Sequence, residues 1–199
     1  MDIRQLSIHY HDEQDRILFR INSSTGEEIH LWLTRRMAMR LWPLINQVAN
    51  DHLAIPVGAR TDGSVDLTAL SPHSRAVLAH ARQEEAVQNA DFRTPYQDTS
   101  TRRPLGDAPL LVTEVNLTPK PEGVMQMHFR EQLEDDATTR GFQLELQADL
   151  VFAVIRLLGK ALEQSQWNIL PVSIAPVVAS EAVDEMDFAP DAARPTYLN

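Results

Sequence analysis

Three groupings of side chains along the 199 residues have types and spacing suited to chemistry. The first is Trp32 with Arg16, Arg20 and His30. An indole beside cations is a platform on which a nucleobase stacks while arginines meet phosphate, a face for a protein partner, or a face covered by the helix 72–90 or the loop 92–108. The second is Arg36 and Arg40, four apart and on one side of a helix, with Arg35, Met39 and Trp42 close by. The third is His9-x-His11, which puts two imidazoles on the same side of a strand, a spacing that can grip a metal. No third ligand is evident near that pair, so a solvated polar face accounts for it better.

Catalytic signatures are missing. The chain has no Walker A loop, no G-x-S-x-G elbow and no HExxH. The pairs Asp135-Asp136 and Glu84-Glu85 fall in a loop and on a polar helix face, where nothing makes them an acid/base couple. With no cysteine, disulfides, thiolate nucleophiles and Cys-ligated zinc are excluded. The sequence is therefore read as non-catalytic, without cofactor or metal.

Charge narrows the partner. The formal net charge is −10, which opposes general attraction to nucleic acids or anionic membranes. The distribution is uneven: net −1 over 1–53, −1 over 54–108, −4 over 109–165 and −4 over 166–199. The first half can still present a basic surface. No apolar run approaches the ~20 residues of a membrane span. The opening residues lack the apolar core of a secretory signal, so a cytoplasmic location is expected.

The elements that must position these groups follow from periodicity. Leu6, Ile8 and Tyr10 alternate with polar residues, as do Ile17, Phe19 and Ile21, and then Ile29, Leu31 and Leu33, predicting three strands in an antiparallel meander. From Thr34 the spacing of Met37, Leu41, Leu44, Ile45 and Val48 predicts a helix, with Pro43 expected to kink or restart it. A β-β-β-α unit over 1–53 results. A connector, 54–108, carries a surface helix over 72–90 opened by Ser71-Pro72, with a thin stripe of Val77, Leu78, Ala81 and Val87, followed by a mobile loop. A second β-β-β-α unit over 109–165 has Leu111, Thr113, Val115 and Leu117 in one phase, an acidic loop over 131–139, and a helix over 148–164. That helix is apolar around most of its girth, which predicts deep burial or a shared interface.

The two units lie in pattern on each other. Residues 29–50 align without a gap with 142–163, and Leu6 and Ile8 match Val115 and Leu117 with one residue of slip before the next strand. The expected fold is α+β: two pseudo-repeated β-β-β-α units packed as one domain, because a single ~50-residue unit buries too little surface alone. In order of elements this resembles the Pur-repeat and Whirly-type folds, which have four strands per unit. The resemblance implies single-strand nucleic-acid binding and carries over no functional residue.

The last stretch, 166–199, is expected to be an acidic, largely disordered tail. Its Glu181, Asp184, Glu185 and Asp187 are placed to compete for the arginine-rich first half. The sequence thus points to a binding or assembly module that recognises a protein partner or itself. The alternative is a single-stranded nucleic-acid binder using Arg16, Arg20, His30 and Trp32.

Overall fold

Alternating apolar and polar residues build two small antiparallel meanders, each running without a loop into a helix. The computed structural model describes residues 2–53, 71–92, 94–98, 102–132 and 139–168. The connector 54–70 and the acidic tail from 169 lie outside the described residues. The first sheet contains β1 (Ile3–His11), β2 (Arg16–Ser23), β3 (Glu28–Thr34) and a two-residue β4 (Leu110–Leu111), in that spatial order. The second contains β5 (Glu114–Lys120), β6 (Val124–Glu131) and β7 (Arg140–Gln147). Three α-helices accompany them among the described residues: α1 (Arg35–Val48), α2 (Pro72–Asn89) and α3 (Ala148–Ser165). The class is α+β.

The turn between β2 and β3 needs a left-handed residue, and Gly26 supplies it at φ 79°. Ser23 closes this turn by accepting from the Glu27 amide at 3.0 Å. Thr34 ends β3 in an extended conformation and caps α1 by accepting from the Met37 amide at 3.3 Å. In the gapless alignment Thr34 stands opposite Gln147, and Gln147 is the N-cap position of α3. The ladders agree in register as well. Leu31 pairs with Phe19 and Phe19 with Ile8; in the second sheet Leu144 pairs with Met127 and Met127 with Leu117. The units differ in β4, which only the first sheet has.

One cluster of buried side chains draws on both sheets and all three helices. The central strands meet in it edge-to-face, Phe19 against Phe129, with ring centroids 6.2 Å apart.

Several expectations are corrected. The chain does not run as one strand from Leu110: residues 110–111 pair in parallel with β3, and the next two residues cross to the other sheet. Leu110 and Val112 are buried there, while Thr113 is exposed. A change of partner sheet resets the alternation, which periodicity alone does not register. Glu131, expected in a loop, ends β6 and is buried, held by Arg140 and by the Leu111 amide at 2.9 Å.

Pro43 neither stops nor restarts α1. It sits on the exposed side, and one turn later Asn46 donates its side-chain amide to the Trp42 carbonyl at 2.7 Å. The helix ends at Val48 in a π-helical turn, Ala49–Leu53. On α2 the buried residues are Ala79 and Ala86, not the expected stripe, and Val77 and Leu78 are each 39% exposed. With small residues at these positions α2 packs against α3 and the turn Ala49–Leu53, and Arg82 reinforces the contact with α3 through Asp149 at 3.2 Å.

The apolar girth of α3 is covered within the chain. Val151, Phe152, Val154, Ile155, Leu158 and Leu162 are buried, with β1, α1, α2 and β7 packed around the helix. The helix therefore gives no ground for self-association. Trp42 also turns inward, against Gly159, and is 6% exposed. Trp167, assigned to the tail, belongs to the core at 5% exposed.

Candidate functional site

The pairing register arranges the outward residues of the first sheet in four rows. These are Gln5–Asn22–Glu28, Ser7–Arg20–His30, His9–Leu18–Trp32–Leu111 and His11–Arg16–Thr34. The rows divide into a covered half and an open half.

Rows one and two lie under residues 94–98 and 102–103. Glu28, whose side chain is fully buried, accepts from the Tyr96 hydroxyl at 2.7 Å, lies 3.0 Å from His30 Nε2 and is 3.5 Å from Arg103. The Arg20 guanidinium sits over the Tyr96 ring, 4.2 Å from its centroid, and donates to Ser7 at 3.3 Å. Asn22 donates to the Gln97 carbonyl at 3.2 Å, and the Gln97 amide donates to Gln5 at 3.1 Å. The Glu28 amide is bonded to Arg102 O at 2.9 Å. Ser7, one of the polar residues alternating with Leu6 and Ile8, is buried as a result. The loop over 92–108, expected to be mobile, is thus docked through its described residues. Burial and the Glu28 carboxylate push the Tyr96 hydroxyl far above the ordinary tyrosine range. Arg20 and His30 belong to this internal lock.

Rows three and four, the open half, have no such bonds to residues 94–98 and 102–103; His9 is exposed and the other six side chains are half-buried. Trp32 is half-buried, with His11 edge-on to it at a centroid distance of 5.7 Å. Leu18 and Arg16 flank the indole in adjacent positions on β2 and are likewise half-buried. Arg16 pairs across the ladder with Thr34, the cap of the helix that carries Arg36 and Arg40. Row four thus ends at the start of α1, on whose solvent side Arg36, Met39, Arg40, Pro43, Leu44 and Gln47 are all exposed. Met39 is 50% and Leu44 40% exposed. No acidic residue occurs on α1, and Arg16, Arg36 and Arg40 pair with no carboxylate among the described residues.

The outer face of the second sheet neutralises itself. Lys120 and Gln126 both bond Glu145, Asn116 bonds Glu114 at 2.8 Å, and Arg130 lies 3.8 Å from Glu114. Lys120 holds the Glu145 carboxyl below its ordinary range. The two faces thus differ in unsatisfied charge as well as in aromatic content.

Of the six residues singled out in the sequence, the structure leaves Arg16 and Trp32 on the open rows of the sheet, Arg36 and Arg40 on the exposed side of α1, and places Arg20 and His30 in the lock. Sequence reasoning missed Tyr96 and Glu28. A lone aromatic within the polar stretch 94–98 was the available signal for the first. Among the described residues no group of three His, Asp or Glu is placed to hold a metal ion. No helix among them is long and apolar enough to cross a membrane. A groove between the three helices, lined by Trp42, Gln83, Arg156, Gly159, Lys160 and Glu163, brings no nucleophile to a general base. No protein-family model, curated protein or solved structure matches this chain.

Proposed function

We propose that the chain is a non-catalytic binding module that takes an acidic protein segment on the open half of the first sheet and the adjoining side of α1. One observation carries the reading: on a chain of net charge −10, Arg16 on the row next to Trp32, and Arg36 and Arg40 on the helix that Thr34 caps, have no acidic partner among the described residues. Arginines together with a half-buried Trp32 and exposed Met39 and Leu44 match acidic segments interleaved with apolar residues, in which charge steers and the apolar contacts hold.

The test is a photo-crosslinking residue at position 32 of the full chain, with position 143 on the opposite sheet as control. Protein adducts from 32 and not from 143 are expected. Equal labelling from both positions overturns the reading.

A second reading, single-stranded nucleic-acid binding, is favoured by the indole with His11 edge-on and Arg16 alongside. It predicts a gel shift that weakens steeply with salt and loses roughly 1–3 kcal/mol per stacked base in Trp32→Ala. No shift at low salt removes it.

A further inference from the structure

We propose that the acidic segment 181–188 of this chain, EAVDEMDF, occupies the exposed side of α1 in the same molecule. The inference rests on reading this surface as a site for acidic segments and names its resident occupant.

Four observations carry it. First, α1 begins with Arg35 and Arg36 and contains no carboxylate. Arg35 has the Asp15 carboxylate nearby, but Arg36 has none among the described residues, and a cation at the positive end of a helix dipole gains from an anion laid beside it. Second, the surface is amphipathic: Arg36 and Arg40 alternate with Met39, Pro43 and Leu44, all exposed. The segment offers the complement, with Glu181, Asp184, Glu185 and Asp187 around Val183, Met186 and Phe188. Third, the chain is anchored at the matching end. Arg35 donates to the Trp167 carbonyl at 3.1 Å, so the peptide leaves the described fold beside the first turn of α1. Fourth, the connection is long enough. The twelve residues 169–180 can span up to about 40 Å, whereas the rise from Arg36 to Leu44 is only about 12 Å.

Docking in cis would shield Met39 and Leu44 from water and neutralise the helix start. An incoming acidic partner must then displace the segment, so the chain carries its own competitor for the proposed site.

Because the protein has no cysteine, one engineered pair reports without background. The full-length chain carrying Met39→Cys and Met186→Cys is oxidised with glutathione disulfide. Formation of an intramolecular disulfide, read by mass and by non-reducing mobility, is compared with a Gln143→Cys, Met186→Cys control. Closure of the first pair at least tenfold faster than the control is expected, falling to the control rate when Arg36→Glu and Arg40→Glu are added or when salt is raised to about 1 M, where the Debye length is ~3 Å. Equal rates for the two pairs overturn the inference, as do disulfide-linked dimers, which would assign the segment to a second copy. Both cysteine positions with described structure lie on exposed surfaces, so loss of folding does not confound the readout. Failure here with persistent protein adducts from position 32 removes only the tail from the account; failure of both removes the binding surface.

Discussion

The indole nitrogen of Trp167 donates a 2.6 Å hydrogen bond to Oδ1 of Asp15, joining residues 152 apart in sequence. Asp15 closes the β1–β2 turn in a left-handed conformation, φ 47°. Tyr10 completes the joint: its hydroxyl donates to the same oxygen at 2.9 Å, and its ring meets that of Trp167 edge-on, centroids 5.5 Å apart. The end of α3 is thereby pinned to the edge hairpin of the first sheet.

Trp167→Ala should destabilise the protein by about 3–5 kcal/mol, as expected for truncating a buried aromatic. Trp167→Phe keeps an aromatic ring and removes the donor. The Trp167 and Tyr10 hydrogen bonds, with Arg35 nearby, hold the Asp15 carboxyl below its ordinary value. Its contribution is complete above the unfolded carboxyl range and is lost as pH falls through the lowered folded value. Urea titrations from pH 7 down to pH 2 should show the gap between wild type and Trp167→Phe widest near neutrality and closing in acid. A gap independent of pH would show that the hydrogen bond to Asp15 contributes nothing.

Gly159 allows α3 to approach α1. A Cβ there would stand 3.0 Å from Trp42 Cη2. Gly159→Val should destabilise by about 1–3 kcal/mol through overpacking. Gly159→Ala sets a helix-propensity gain of about 1 kcal/mol against that tight contact, and near-neutral stability is expected. Adding Trp42→Leu to Gly159→Val should recover part of the loss, with a coupling of about 0.5–3 kcal/mol in a double-mutant cycle. Strict additivity would show that the two residues do not share the space.

The parts of the fold that were legible in the sequence are those governed by local periodicity. Alternation in β1, β2, β3, β6 and β7 gave their faces, and Thr34 gave the start of α1. What was not legible depends on neighbours distant in the chain. Leu110 joins the first sheet because its partner is Leu31, 79 positions earlier. Ala79 and Ala86 are buried through the closeness of α3, a property of small size that a hydrophobic stripe does not reveal. The site shows the same division. Arg36 and Arg40 are exposed because of helical phase, whereas Arg20 and His30 are taken out of the open face by Tyr96 and by Glu28, the former 76 positions after Arg20.

The lock over the first two rows should weaken in alkali. The Tyr96 hydroxyl donates to a carboxylate that is out of water, and its folded pKa lies above the unfolded value of about 10. The resulting stability is fully present below the unfolded value and is lost as pH rises above it, where the unfolded chain ionises first. Tyr96→Phe should cost about 1–3 kcal/mol at neutral pH, since a buried acceptor loses a donor, and should flatten the alkaline decline. Stability measured by urea from pH 7 to pH 11 checks both. A decline of the same steepness in the variant would show that Tyr96 is not its source.

His9 bears on which cations the open face offers to a ligand. Desolvation lowers its pKa first, and the positive charges of Arg20 and Lys160 lower it further. Because the folded value lies below the unfolded one, the unfolded chain takes up the proton first as pH falls. Stability attributable to neutral His9 is therefore present above about pH 6.5 and declines below it, continuing until the folded group also protonates. His9→Gln should remove this portion of the acid dependence while leaving stability at pH 8 within about 0.5 kcal/mol, as for an exposed substitution. Imidazole proton shifts followed by NMR titration test the direction: the His9 midpoint should fall below that of a histidine in an unfolded peptide. A midpoint above that reference would show that desolvation, Arg20 and Lys160 do not set the charge state of His9, and the open face would then carry a protonated imidazole in the row of Trp32.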